Sequence, residues 1–153
     1  MPSLRLLGGA VLEDDDGPVT GPPARPQPLA LLALLATAPS RERSRGKLVG
    51  ILWREASEQQ ARGRLNSCLH RIRSGLGEES VLSVGDALRK KRKVLGCDVP
   101  EFEEALREEN WERAVELYGG PFLDGFRLKG APGFEKWVDG ERERLARGYR
   151  EAL

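Results

Sequence analysis

One segment limits what this chain can become: SEQQARGRLNSCLHRIRSGLG, residues 57–77. Ser57 and Gln60 have the Ser-x-x-Gln spacing of a capping box, in which each side chain serves the other's backbone N–H, so a helix is predicted to begin there. Gly77 is a natural stop, because glycine takes the backbone conformation that ends a helix. Between these caps, Ala61, Leu65, Cys68, Leu69, Ile72 and Leu76 fall within one arc of roughly 100° when residues are placed at about 100° each. A helix with that stripe must lie against a core along nearly its whole length.

Its other side is the unusual one. Gln59, Gln60, Gly63, Asn66, Ser67, His70, Arg71 and Ser74 face outward, flanked by Arg64 and Arg73, and no Asp or Glu occurs from Gln59 to Gly77. The whole chain has 25 Lys and Arg against 24 Asp and Glu, a net charge of +1, so the absence of acids is local. Such a balance creates no global field that would steer the protein to nucleic acid or to a membrane surface. The charge is instead segregated: bases clearly outnumber acids from Arg41 to Lys93, and acids are slightly in excess from Asp98 onward.

A helix in the DNA major groove requires this kind of face. Base edges call for side chains that both donate and accept, and the phosphate walls favour cations and repel carboxylates. Arginine pairs bidentately with guanine, and Asn or Gln with adenine, each pairing giving about 1–3 kcal/mol of discrimination. Small residues at Gly63 and Ser67 leave room for close approach. The bland alternative is a solvated face, and the neighbouring elements weigh against it.

Before the helix, Leu4 and Leu6, then Ala10, Val11 and Leu12, read as short strands, with Val19 and Thr20 as a third; DDDGP between them reads as an exposed turn rather than a metal pocket. Prolines at 22, 23, 26 and 28 lead into LALLALLATA, predicted as a buried helix over about 28–38 and stopped by Pro39. This run starts too late and follows too many acids for a signal peptide, and it is about half of the roughly 20 residues that cross a bilayer. Another helix is predicted from an N-cap at Ser44, with Leu48, Val49, Ile51, Leu52 and Trp53 on its inner side. Gly46-Lys47 is not part of a phosphate loop, since Arg41 stands where the motif needs glycine.

After the helix, SVLSV, Gly85-Asp86 and ALRKKRKVL read as a hairpin whose second arm is strongly basic. Lys91 and Arg92 there are candidate contacts to phosphate or the minor groove. Strands, three helices and a terminal hairpin describe an α+β winged helix-turn-helix over residues 1–96. A composition shift at Gly96-Cys97-Asp98 marks the expected boundary. Residues 97–153 read as an all-α, helical-repeat-like module of short antiparallel helices, with Phe102, Ala105, Leu106, Ala114, Val115 and Tyr118 inward and Trp137, Leu145 and Tyr149 anchoring the last helix. Trp53, Trp111 and Trp137 are expected in the core.

Several classes drop out. Two cysteines without a Cys-x-x-Cys pair, and one histidine, support neither a zinc site nor a disulfide framework, so a reducing cytoplasm is expected. Cys68 lies on the apolar stripe. No nucleophile, base and orienting group occur together, so an enzyme is not expected, nor is a cofactor, a metal or a membrane partner.

The segments LRLLGG, LVGILWREASEQQARGRLNSCLHRIRSGLGEE, CDVPEFEEAL, AVELYGGPFLDGF and FEKWVDGERERL together resemble the Streptomyces antibiotic regulatory protein (SARP) family of transcriptional activators. The most specific parts are Leu-Trp followed by Gln-Ala-Arg, the Ile-Arg-x-x-Leu-Gly ending and the Gly-Pro-Phe-Leu-x-Gly-Phe loop. The resemblance implies an OmpR-type winged helix followed by a bacterial transcriptional activation domain of tetratricopeptide-like helices. It also implies binding to direct repeats near a promoter, recruitment of RNA polymerase and pairing of copies on DNA. By it, residues 57–76 are the recognition helix, with Arg64, Asn66, Ser67, His70, Arg71 and Arg73 as contacts, and Val81 to Val94 is the wing. The chain departs from the family in its Arg-Lys-Lys-Arg-Lys wing, and in stopping at Leu153, where the activation domain normally continues. The activation domain is therefore expected to be partial, which leaves a minimal regulator, a repressor by occlusion and a fragment as alternatives. The competing expectation is a protein-interaction module that uses the C-terminal helices, with the winged helix as scaffold.

Overall fold

Leu4 and Leu12 face each other across the first strand pair and set the floor of the core. The structure, a computed structural model, describes residues 1–153. Strand β1 (Ser3–Arg5) pairs antiparallel with β2 (Val11–Asp14), which turns through Asp15-Asp16 into β3 (Gly17–Pro18). The third strand lies at Gly17–Pro18 and not at Val19–Thr20. The turn uses only two residues, with the Asp14 carboxylate accepting from Asp16 N at 2.9 Å, so pairing resumes at once.

Helix α1 (Pro26–Ala36) begins two residues before the expected Pro28, because Pro26 supplies a preset φ where no N–H is needed. It is buried from Pro28 to Ala36, as an all-apolar helix must be. Beyond Pro39, Ser40 and Arg41 both adopt left-handed backbone (φ 56° and 57°) and lead into β4 (Glu42–Ser44), a strand without a local signal in the sequence. Ser44 caps α2 (Arg45–Leu52) as expected, accepting from Lys47 N at 3.2 Å. Then come α3 (Glu58–Leu76), β5 (Val81–Val84) and β6 (Ala87–Lys90). The order β4-β6-β5 makes a second, three-stranded antiparallel sheet.

Strand β7 (Gly96–Cys97) then returns to pair parallel with β1, completing the order β3-β2-β1-β7. The expected boundary between residues 96 and 97 therefore lies inside a strand of the N-terminal sheet. Next, α4 (Asp98–Arg107) and α5 (Trp111–Leu117) form a tight pair, and α6 (Pro132–Ala152) packs back on both α5 and α2. The result is a mixed α/β chain of six helices and two small sheets.

One apolar cluster of 37 buried residues runs from Leu4 to Ala152, so the two halves share a core. Three contacts seal the join. The Asp98 carboxylate accepts from Leu6 N (2.9 Å) and Leu7 N (3.0 Å), although burial pushes its pKa above the usual carboxylate range against those stabilising bonds. Leu7 bridges Phe122, and Leu123 N donates to Leu6 O at 2.8 Å. A Cβ on Gly133 would stand 3.0 Å from Ile51 O, so α6 begins in close contact with α2. Trp111 departs from the expected core position: it is 40% exposed at the start of α5, beside the α4–α5 turn, where Ala114 is the buried residue. Trp53 is buried and Trp137 half-buried.

Candidate nucleic-acid interface

The surface of interest is built on α3, whose ends are fixed locally. Ser57 Oγ accepts from Gln60 N at 3.1 Å and Gln60 Oε1 accepts from Ser57 N at 3.2 Å, the reciprocal cap the spacing predicts. Gly77 leaves the helix at φ 100°. The buried residues of α3 are Ala61, Leu65, Cys68, Leu69, Ile72 and Leu76, the same six as the stripe. Burial pushes the Cys68 thiol up to about 11, with nearby Arg71 pulling the other way, so it is a core residue rather than a nucleophile. The turn of Pro22–Ala24 closes over the end of this helix, with the Pro23 ring seated where a Cβ on Gly75 would stand.

That packing leaves Arg64, Asn66, Ser67, His70 and Arg71 exposed on one helix. Arg64 and Arg71 take part in none of the chain's ion pairs. The nearest acid on the helix is Glu58 at its first position, which accepts from Arg62 at 3.0 Å. No space around Gly63 is filled, so the face is open there. Arg73 is placed differently: its Nε and Nη2 both donate to Val81 O, at 3.1 and 2.8 Å, tying α3 to β5.

The basic stretch after the hairpin is dispersed rather than gathered. Arg89 points outward and pairs with Glu42 at 3.2 Å, Lys91 pairs with Glu79 at 3.2 Å, and Arg92 reaches Glu104 of α4 at 3.6 Å. The hairpin tip is Gly85-Asp86, so Lys91 and Arg92 stand at its base, past the end of β6. Lys90 is buried at 2% exposure. The alternation of β6 places it on the inner face with Leu88, a signal that the period of two already carries.

Lys90 Nζ donates to Leu95 O, and burial brings its pKa from 10.5 down to about 8, with Cys97 opposing and the Arg41 and Arg92 charges reinforcing. Between those values the unfolded chain holds a proton that the folded chain has lost, so this group makes stability rise with pH, and its penalty is complete below about pH 8. Lys90→Met is therefore expected to be more stable than the parent at pH 7, by about 1 kcal/mol. The gap between the two proteins should close by pH 10, as followed by urea unfolding at both pH values. A constant gap would show that the folded chain holds the Lys90 proton as firmly as the unfolded chain does, and that burial does not lower its pKa.

Two further cations have no signal in the sequence, one beside α3 and one against the β5–β6 hairpin. Arg25 joins Arg71 around a recess of about 400 Å³ beside the α1 entrance. Arg45, at the start of α2, donates to Ser83 Oγ of β5 at 3.0 Å. Arg25 lies in a proline-rich lead with no periodicity, and only the packing of that lead on α3 brings it there. No three His, Cys, Asp or Glu side chains converge as metal ligands, and no helix is long and apolar enough to cross a membrane.

No family model matches this chain, and no curated protein sequence matches it. Among solved structures, that of Mycobacterium tuberculosis EmbR in complex with a low affinity phosphopeptide shares the fold. The TM-score is 0.68 at 22% identity, over 99% of this chain and 45% of the EmbR chain. The chain thus spans less than half the length of that protein, and at this identity the likeness is one of fold.

Proposed function

We propose that this chain is a sequence-specific DNA-binding transcriptional regulator. In this reading, residues 1–96 are an OmpR-type winged helix-turn-helix, α3 enters the major groove, and residues 97–153 are part of a tetratricopeptide-like activation module. The observation that carries it is the outer face of α3: Arg64, Asn66, Ser67, His70 and Arg71 are all exposed, and no carboxylate lies among them. The EmbR-like fold supports the SARP resemblance that suggested it.

Arg71 and Asn66 are the base readers in this account, and Arg64, Arg25 and Arg45 contact phosphate. Arg73 is a positioning residue, because its donors are committed to Val81 O. Lys91 and Arg92 approach the backbone only by exchanging their carboxylate partners for phosphate, so their contribution is long-range and salt-sensitive. The family resemblance supplies direct repeats near a promoter, copies paired on DNA and RNA polymerase as the protein partner, while the cysteine usage suggests a cytoplasmic setting and the sequence offers no catalytic constellation.

Selection of the full chain on a random-sequence duplex pool tests the reading. A repeated motif should be enriched, and its period gives the half-site spacing. A pool that stays random after several rounds overturns sequence-specific binding.

Gly63→Ala separates folding from binding. The added methyl meets nothing within 4 Å and replaces a poor helix former, so thermal unfolding should show a gain of about 0.5–1 kcal/mol. Affinity for the selected duplex should nevertheless fall, because the methyl occupies the face that approaches the bases. Equal or tighter DNA binding by the stabilised variant would remove Gly63 from the interface.

A further inference from the structure

A second concave surface lies apart from α3. It is a cleft of about 770 Å³ between the Thr37–Lys47 segment on one side and α4 and α6 on the other, and no α3 residue lines it. Six cations and three carboxylates face it. All three carboxylates are already engaged: Glu104 with Arg92 at 3.6 Å, Glu103 with Arg144 at 2.7 Å, and Glu141 with the same Arg144. Arg43 is held as well, donating to Leu34 O at 2.7 Å with its guanidinium 5.8 Å from the centre of the Trp137 ring.

Arg41, Lys47 and Arg107 remain, from three different elements, and none has a carboxylate partner or a side-chain hydrogen bond. Solvated cations on an open surface need no ligand; these three share one concavity. Arg41 is also the second of two successive non-glycine residues in left-handed backbone, a conformation that persists only where the surroundings enforce it and that is frequent at ligand sites. The volume lies in the range of small-ligand sites. The Arg43–Trp137 pair adds a flat surface on one wall.

We propose that this cleft binds a phosphorylated small molecule of nucleotide size, with its phosphate oxygens held by Arg41, Lys47 and Arg107. A group with two or more negative charges matches three uncompensated cations better than a single carboxylate does. Gly46-Lys47 is not a phosphate loop, so recognition here is by side-chain charge rather than by a backbone cradle. Because Lys47 lies on α2 and Arg107 on α4, the ligand would bridge the helix that precedes α3 and the C-terminal helices. The inference does not depend on the DNA reading.

Calorimetric titration of the full chain with ADP, inorganic pyrophosphate and sulfate tests it. ADP and pyrophosphate should bind saturably at one site per chain, and both more tightly than sulfate. Lys47→Ala combined with Arg107→Ala should weaken ADP binding by about tenfold or more, and Arg107→Gln alone by a smaller factor in the same direction. Arg64→Ala with Arg71→Ala on α3 should leave it unchanged, and all variants should retain the parent melting temperature without ligand. Absence of saturable binding overturns the proposal. So does ADP binding no tighter than sulfate, or a loss of binding caused by the α3 pair and not by the cleft variants.

Discussion

Phe122→Ala is expected to destabilise the whole chain by about 3–5 kcal/mol, a large share of the roughly 5–15 kcal/mol that a domain of this size has. Phe122 is fully buried, lies edge-on to Trp137 at 5.7 Å between ring centres, and forms the bridge to Leu7 next to the first sheet. Its backbone is held from the other side, with Arg142 Nε donating to its carbonyl at 3.0 Å, so the site has little freedom to collapse around the lost ring. Because the ring sits where both halves meet, its loss should be felt in each. Tryptophan fluorescence, from Trp53 in the first half and Trp137 in the second, and far-ultraviolet circular dichroism should shift to lower denaturant together. Loss of the C-terminal helices alone, with the α3 region still folding at the parent midpoint, would contradict a shared core.

Arg71→Ala is expected to act on recognition and not on folding. Its side chain is exposed and makes no ion pair, so the melting temperature should be unchanged. Loss of a bidentate base contact costs about 1–3 kcal/mol, or roughly 5- to 150-fold in affinity for the selected site. Scrambled duplex, bound through phosphates, should lose far less. If both duplexes are weakened equally, Arg71 is a phosphate contact and the base-reading role passes to Asn66 or His70.

The parts of this molecule that could be read in advance are those encoded locally. The capping box at Ser57, the apolar stripe of α3 and the Ser44 cap each depend on residues within a turn or two of one another, and all appear as expected. The Gly85-Asp86 hairpin belongs with them. What escaped depends on distant partners. Strand β4 exists because Glu42–Ser44 finds β6 more than forty positions later, and β7 exists because Gly96–Cys97 finds β1. Arg73 has the helical angle of a groove contact, but its Nε and Nη2 donate to the Val81 carbonyl, a partner across the loop to β5 that helical spacing does not reveal. The run Arg89–Lys93 looked like one basic surface, but strand alternation buries Lys90 and acids from two other segments take Lys91 and Arg92. The composition shift near residue 97 is real, and Asp98 at that point anchors the first sheet by accepting from the Leu6 and Leu7 amides, a long-range contact that composition does not encode.

The central claim, that the outer face of α3 reads DNA sequence, is tested most directly by measuring the affinity of the full chain for a selected duplex and for its scrambled counterpart at two salt concentrations. The account predicts a preference for the selected duplex of about 10³-fold or more at both, with both affinities falling steeply as salt rises. Equal affinity for the two duplexes, or binding indifferent to salt, would contradict it.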